Sequence, residues 1–173
     1  MQVDLYKDQF NRYFDDPAVK EAIDQGIALV KGAKRVFFIG NGGSSAICSH
    51  MAEDYTKCAG IPSHSFSDPA LITCFANDYG YEHAQENWLN FFYEGEDLLV
   101  AISSSGESKN ILNAVAAARK KGGKVMTLSG FKPDNTLSTL GDVNLVTPTE
   151  NYGIVECFHQ VALHIILDSL NGH

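Results

Sequence analysis

The segment DLLVAISSSGESKNI, residues 97–111, joins a run of apolar residues to the beginning of an amphipathic one. Residues 98–102 are apolar without interruption, which is typical of a strand that is buried on both faces of a parallel sheet. Beyond the loop, apolar residues recur at helical spacing as far as Arg119, and Gly122 and Gly123 follow as a stop signal. The segment therefore predicts a buried strand that leads through a hydroxyl-rich loop into a helix.

The loop between this strand and this helix contains four serines within six residues. Backbone N–H groups and the positive end of the helix dipole point into such a loop and favour a bound anion. A single serine would be enough to cap the helix, so four serines favour a cradle for an oxyanion or a phosphate over an ordinary strand–helix turn. The residues predicted to hold this anion are Ser103, Ser104, Ser105 and Ser108.

Composition limits the class of protein. The 173 residues suffice for one domain with a sizeable core. A net charge of −8 argues against nucleic acid as the main partner, because binding to a phosphate backbone requires a basic surface. The four cysteines show no C-x-x-C spacing, which indicates reduced thiols in a cytoplasmic protein. The first residues lack the pattern of a signal peptide and no apolar run approaches the length of a membrane span, so we expect no membrane partner.

Short apolar runs alternate with amphipathic stretches along the rest of the chain. Strands or short extended pieces are predicted at residues 35–39, 62–67, 98–102, 124–128 and 143–146. A helix is predicted at residues 70–76 with its end before Asn77, and a long final helix at about 152–170. This alternation predicts a single α/β domain over residues 1–173. We expect an open, mostly parallel five-stranded sheet with helices on both faces, in a flavodoxin-like three-layer arrangement.

Two amphipathic helices are predicted before the first strand, within residues 1–32. Asp16 and Pro17 form a typical start for the second of them. The pair carries more aromatic residues than one face of a sheet needs, which favours a role in packing between subunits. Packing within one subunit is the alternative that the same residues allow.

The loop GNGGSS, residues 40–45, follows the first predicted strand and is the second candidate ligand loop. In an open α/β sheet, ligands bind beyond the carboxyl ends of the strands, where both loops would lie. GNGGSS resembles a dinucleotide fingerprint with Ser45 in place of the third glycine, and Asp68 could mimic the acid that binds the ribose. A dinucleotide fold has no need of a second hydroxyl-rich loop, which weighs against a nucleotide-binding domain.

Two predicted helices carry histidines and acids at helical spacing. His50 and Asp54 are four residues apart and share one face, and Glu156 and His164 are eight apart and lie roughly on one side. His159 is less well aligned with His164. Two carboxylates and two imidazoles suit either acid–base catalysis or a metal site. Taken singly, each of these side chains is more often a packing residue or a partner of the helix dipole.

Taken together, these motifs resemble the sugar isomerase (SIS) domain in order and spacing. They run from GNGGSS through His50 and Asp54, Asn77 and Asp78, and ISSSGES to Glu156 and His164. Within that domain family the chain is similar to the phosphoheptose isomerases over nearly its whole length. These enzymes convert sedoheptulose 7-phosphate to D-glycero-D-manno-heptose 7-phosphate for the heptose of lipopolysaccharide and capsule.

The resemblance implies a role for each matching residue. Asp54 would be the base that moves a proton between C1 and C2 through an enediol, and His164 would be the acid that handles the oxygen proton. The residues implied to contact the sugar or its phosphate are Asn41, Gly42, Gly43, Ser44, Asn77, Asp78, Ser103, Ser104, Ser105, Ser108 and Glu156. Zn²⁺ is an implied cofactor, with His50, Asp54, Glu156 and His164 as its ligands. The resemblance also implies a homotetramer whose sites draw residues from neighbouring subunits.

The chain departs from the family pattern at two of these positions. Asp54 stands where the family has glutamate, and Glu156 stands where it has glutamine. Asp54 is one methylene shorter, and a misplacement of about 1 Å can cost on the order of 10²-fold in rate. Glu156 adds a negative charge, which should strengthen the binding of a divalent cation. Glu53 lies about 100° around the helix from Asp54 and is therefore an unsuitable substitute base.

These departures leave a second hypothesis open, namely a SIS module of altered specificity or without catalysis. Such a module would bind phosphosugars or other proteins. The presence of His50, an acid at position 54 and His164 together favours the isomerase hypothesis over this one.

Overall fold

The computed structural model describes residues 1–172. Among them, five strands form one sheet in the order β2-β1-β3-β4-β5, and every neighbouring pair is parallel. The strands are β1 (Val36–Ile39), β2 (Ser63–Ser65), β3 (Leu98–Ser103), β4 (Lys124–Gly130) and β5 (Val143–Thr147). The helices are α1 (Gln2–Asp15), α2 (Pro17–Gly32), α3 (Gly43–Ala59), α4 (Pro69–Tyr79), α5 (Tyr81–Phe92), α6 (Lys109–Lys120) and α7 (Tyr152–Asn171), with a 3-10 turn at Thr136–Thr139.

The predicted α/β sheet is confirmed, and its described strands are parallel throughout. The middle strand β3 pairs with β1 on one side and with β4 on the other. Its side chains alternate between two apolar cores: Leu98 and Val100 lie in the core beneath α2, α3 and α7, whereas Leu99 and Ala101 lie in the core beneath α5 and α6. Because both faces of the sheet are covered at β3, its sequence is an uninterrupted apolar run from residue 98 to residue 102.

The order of the strands determines where a ligand can bind. From β1 the chain moves outward to the edge strand β2 and then crosses back to β3 on the other side of β1. The loops that follow β1 and β3 therefore diverge to opposite faces of the sheet and leave a crevice at the carboxyl ends of the strands. The two candidate ligand loops, residues 40–45 and 103–108, are the loops that border this crevice.

The leading helices α1 and α2 form as predicted, and Asp16 caps α2 by accepting a hydrogen bond from the Ala18 N–H at 2.9 Å. Much of the aromatic face of α1 is used within this chain. Phe10 and Tyr13 pack on Phe158 of α7, with ring centroids 4.3 and 4.2 Å apart. These contacts use Phe10 and Tyr13 inside one subunit, and a role of α1 and α2 in packing between subunits stays a prediction.

The region after β2 differs from the prediction. Helix α4 continues through Asn77 and Asp78 to Tyr79, three residues beyond the predicted end. Gly80, with φ +79°, ends the helix because it can adopt a backbone conformation that other residues avoid. At the start of α4, Asp68 accepts a hydrogen bond from the Leu71 N–H at 2.9 Å, so this carboxylate caps a helix.

Helix α7 is long and apolar enough to cross a membrane by length and composition, which the sequence reading did not anticipate. It is the one such helix among residues 1–172, and 44% of its most apolar window is buried inside the protein. Core helices pass the same test, and α7 contributes Ile154, Leu163 and Ile166 to the core that covers one face of the sheet.

Candidate active site

The serine loop at the end of β3 is held by its own hydrogen bonds. Gly106 N–H donates to Ser103 Oγ at 3.2 Å, and the Ser103 hydroxyl donates to Ser108 Oγ at 3.1 Å. Gly106 has φ +69°, and a Cβ at this position would overlap the side chain of Asn135. Ser108 is the N-cap residue of α6, yet its side chain makes no capping hydrogen bond. The Ser108 hydroxyl is therefore available to a ligand, as an anion cradle requires and an ordinary capped turn does not.

Both ligand loops line one cavity of about 280 Å³. All of the predicted ligand-binding residues except Asn77 and Asp78 border it. They are Asn41, Gly42, Gly43, Ser44, Ser103, Ser104, Ser105, Ser108 and Glu156. The cavity lies near the lower end of the range for small-molecule sites, roughly 300–1,000 Å³. Its size suits a compact anionic ligand better than a dinucleotide.

The cavity faces the N-termini of two helices. α3 begins at Gly43 and α6 begins at Lys109, and neither helix has a side-chain cap. Their first N–H groups and helix dipoles favour an anion at this point. A Cβ on Gly43 would meet the carboxylate of Glu156, which places this carboxylate directly beside the glycine loop.

A second group of polar side chains lies further along α3 and α7. His50, Asp54 and His164 each offer one ligand atom, and these atoms all lie within 4.8 Å of one another. His50 Nε2 is 3.4 Å from Asp54 Oδ2, and the rings of His50 and His164 are 5.4 Å apart between centroids. Two imidazoles and one carboxylate fit Zn²⁺, which takes three such protein ligands in catalytic sites and keeps a fourth position open. The residues present therefore fit the implied metal.

Glu156 lies outside the group of ligand atoms that are within 4.8 Å of one another, and its place as a fourth metal ligand stays a prediction. Eight residues of α-helix extend about 12 Å, and α3 and α7 pack side by side so that Glu156 lies at Gly43 while His164 lies at His50. Gln160 occupies the turn between them, with its Nε2 2.9 Å from His164 Nε2. Glu156 instead brings a carboxylate to the serine-lined cavity.

Four other residues considered in the sequence lie apart from both groups. Asn77 and Asp78 are exposed on the last turn of α4, where Asn77 Nδ2 donates to Asp78 Oδ1 at 2.9 Å. His159 is fully buried, and its Nε2 is 3.1 Å from the Ser129 carbonyl oxygen. Burial lowers the pKa of His159 to about 4, so the ring is neutral near neutral pH and belongs to the core. Glu53 lines a different cavity, beside Arg35 and His64.

Sequence reasoning missed several polar residues at the site. Tyr152 lines the serine-lined cavity from the start of α7, and Gln160 contacts His164. Asn110 and Gln85 are buried beside the glycine loop. Asn110 directly precedes Ile111, the first apolar residue in the helical pattern of α6. A polar residue at such a core-facing position was the signal in the sequence that could have identified Asn110.

Comparison with known proteins defines the class. A family model described as the SIS domain matches residues 11–130 of this chain. The chain therefore belongs to the SIS-domain family.

Several proteins that are similar to this chain are named phosphoheptose isomerases. A phosphoheptose isomerase from Proteus mirabilis is 34% identical over 170 residues, which cover 92% of this chain and 88% of that one. A phosphoheptose isomerase from Histophilus somni is 32% identical over 171 residues, with 93% and 87% covered. Among solved structures, a phosphoheptose isomerase from Francisella tularensis matches with a TM-score of 0.88 at 25% identity, over 99% of this chain and 95% of that one.

Proposed function

We propose that this chain is an aldose–ketose isomerase that converts sedoheptulose 7-phosphate to D-glycero-D-manno-heptose 7-phosphate. The observation that carries the proposal is that α3 and α7 bear both sites. The His50–Asp54–His164 group lies on these two helices, and their N-terminal residues line the serine-lined cavity. One end of a phosphorylated sugar would be anchored in the cavity while its carbonyl end lies at the acid–base group. The names of the relatives support the choice of substrate.

The phosphate would be held by the hydroxyls of Ser103, Ser104, Ser105 and Ser108 and by the N-terminus of α6. Asn41, Gly42, Gly43 and Ser44 would contact the sugar or its phosphate from the other side. Asn77 and Asp78 do not line this cavity within one chain, so they would serve the site of a neighbouring subunit. The proposal therefore includes a homotetramer of single SIS domains spanning residues 1–173, in which α1 and α2 also contact other subunits.

The proton transfers involve two side chains. The Asp54 carboxylate would remove a proton from C1 of the ketose, leaving an enediolate, and would return it to C2 of the aldose. His164 would accept the proton of the C1 hydroxyl and supply one to the oxygen on C2. The two groups are close enough to act on adjacent carbons, because their ligand atoms lie within 4.8 Å of each other.

We further propose that His50, Asp54 and His164 hold one Zn²⁺ through one atom each, so that the second carboxylate oxygen of Asp54 and the second ring nitrogen of His164 would serve the proton transfers. When bound, the ion would polarise the sugar carbonyl and so favour loss of the C1 proton. Glu156 would contact the substrate at the anion cavity. The enzyme would act in the cytoplasm, in the supply of heptose for lipopolysaccharide or capsule.

Product analysis tests this proposal directly. Purified protein is incubated with sedoheptulose 7-phosphate, with and without added Zn²⁺, and the sugar is followed by NMR. We expect the aldose heptose 7-phosphate to form and the C1 or C2 position to exchange its hydrogen with D₂O. Protein that binds the sugar phosphate but forms no product and catalyses no exchange would refute the isomerase assignment.

A SIS module that binds a phosphosugar without converting it is the second candidate. The shorter side chain of Asp54 favours this candidate, because a carboxylate set back by one methylene from the position of the family's glutamate would slow proton transfer without removing the phosphate site. Binding without turnover in the same assay would support it.

A further inference from the structure

A hydrogen-bonded network of side-chain amides connects the glycine loop to α5 and α6. Asn41 Nδ2 donates to Asn110 Oδ1 at 3.0 Å, and Asn110 Nδ2 donates back to Asn41 Oδ1 at 2.8 Å. Asn110 Nδ2 also donates to Gln85 Oε1 at 3.0 Å, and Gln85 Nε2 donates to the Gly40 carbonyl at 3.3 Å. Asn110 and Gln85 are only 4% and 3% exposed. The two buried amides thus hold the backbone and the side chain of the same loop.

The network leaves Asn41 with one free hydrogen. Its Oδ1 accepts from Asn110 and, at 2.7 Å, from the Tyr81 hydroxyl, so both acceptor positions of the oxygen are used. One Nδ2 hydrogen is used by Asn110, and the other has no hydrogen-bond partner among residues 1–172. Since Asn41 lines the serine-lined cavity, that hydrogen is the polar group that its side chain can offer to a ligand.

The network also connects the glycine loop to two other segments near candidate ligand residues, namely the start of α6 after the serine loop and the start of α5 after α4. Asn110 lies two residues after Ser108, so its bond to Asn41 fixes the distance between the serine loop and the glycine loop. Tyr81 follows Gly80 at the start of α5, directly after the turn of α4 that carries Asn77 and Asp78.

We propose that Asn110, Gln85 and Tyr81 are positioning residues that orient Asn41 as a single N–H donor to the phosphorylated sugar. The proposal rests on the proposed function for the identity of that ligand. It predicts that the network acts on ligand affinity through Asn41, beyond any contribution to folding. A fully satisfied buried network rigidifies its members, whereas a broken one leaves amides unpaired.

Asn113 provides a matched control on the same helix. Its Nδ2 donates to the Glu82 carbonyl at 2.9 Å, so it also joins α6 to α5, but this hydrogen bond does not involve the glycine loop. Asn110→Leu and Asn113→Leu therefore remove comparable bonds between the same two helices.

The experiment measures the affinity for inorganic phosphate and for sedoheptulose 7-phosphate by calorimetry, together with KM and kcat. Asn110→Leu should weaken binding of both ligands and raise KM by about tenfold or more, which corresponds to about 1.4 kcal/mol. Asn113→Leu should change KM and the affinities for both ligands by less than about twofold relative to the wild-type protein. Tyr81→Phe removes one donor from a half-exposed residue and should weaken binding by about threefold, or roughly 0.6 kcal/mol.

A double-mutant cycle separates positioning from a merely structural role. In an Asn41→Ala background, the effects of Asn110→Leu and Tyr81→Phe should fall below about twofold, since the donor they orient is absent. Equal effects in both backgrounds, or unchanged affinity of the single variants, would overturn the proposal. If Asn110→Leu fails to fold, the Tyr81→Phe cycle decides by the same criterion. Wild-type protein that binds phosphate without turnover would refute the proposed function, while the phosphate affinities would still decide this inference.

Discussion

At the scale of single residues, Asp54 and Glu156 determine what the site can do. Asp54 lies with His50 and His164, and its side chain is 19% exposed, so the carboxylate is shielded but reachable. Glu156 lies among the serine hydroxyls and the N-termini of α3 and α6. Under the proposed function, Asp54 would transfer the proton, and the charge of Glu156 would oppose the charge of the phosphate.

The first prediction concerns Asp54. Asp54→Asn keeps the size of the side chain but removes the base, so kcat should fall by about 10²-fold or more. Phosphate affinity should change by less than about twofold, because Asp54 is outside the serine-lined cavity. Glu53→Gln is the matched control, since Glu53 lines a separate cavity and should retain full activity. Equal loss of activity in both variants would contradict the assignment.

The second prediction concerns Glu156. Glu156→Gln removes a negative charge from the anion cavity at nearly constant volume. With divalent ions chelated, inorganic phosphate should bind about fivefold more tightly, an effect of about 1 kcal/mol. Calorimetry at low and high salt checks this, because the gain should shrink as salt screens the charge. Weaker phosphate binding by Glu156→Gln would show that the carboxylate assists the ligand.

At the scale of elements, the conformation of the serine loop depends on Gly106. Two constraints coincide there: the residue has a positive φ, and the space beside it is filled by Asn135. Asn135 donates to Ser129 Oγ, the Gly130 carbonyl and the Lys132 carbonyl, so it cannot easily move aside. The loop after β3 is thereby packed against the segment after β4.

The third prediction tests this contact. Gly106→Ala should lower the free energy of unfolding by roughly 1–3 kcal/mol and weaken phosphate binding, because strain and overlap both displace the serine loop. Gly122→Ala is the control: Gly122 also has a positive φ, but a Cβ there would meet open space. It should cost only about 1 kcal/mol and leave phosphate binding unchanged. Similar losses of affinity in both variants would contradict the predicted overlap.

At the scale of the whole molecule, burial of His159 between α7 and β4 makes stability depend on pH. Its Nε2 donates to the Ser129 carbonyl, and its Nδ1 has no hydrogen-bond partner among residues 1–172. Burial lowers the folded-state pKa from 6.5 to about 4. Between these values the unfolded chain binds a proton that the folded chain does not. The contribution to stability is complete above pH 6.5 and is lost progressively as the pH falls towards 4.

The fourth prediction follows from this difference in proton binding. Between pH 7.5 and pH 5.0, the free energy of unfolding of the wild-type protein should fall by roughly 2 kcal/mol more than that of His159→Gln, since each pKa unit corresponds to about 1.4 kcal/mol. Urea denaturation at the two pH values measures it. Parallel changes in both proteins would show that His159 does not cause the pH dependence.

The apolar runs and helical spacings predicted the strands, the helices and the two loops that follow β1 and β3, because these features depend on residues that are near in sequence. The pairing of His50 with Asp54 was predictable for the same reason, since four residues make about one helical turn. The end of α4 was placed three residues early, because a helix can extend over polar residues until Gly80 stops it.

Contacts between distant segments were decided only by the tertiary structure. The parallel packing of α3 on α7 places His164 with His50 and Asp54 but carries Glu156 to the glycine loop, some 12 Å along the helix. The bond between Asn41 and Asn110 joins residues 69 positions apart. Periodicity shows which face of a helix is buried. It does not show which neighbouring element that face contacts, or at which position along the helix axis. That choice depends on the packing of the whole core.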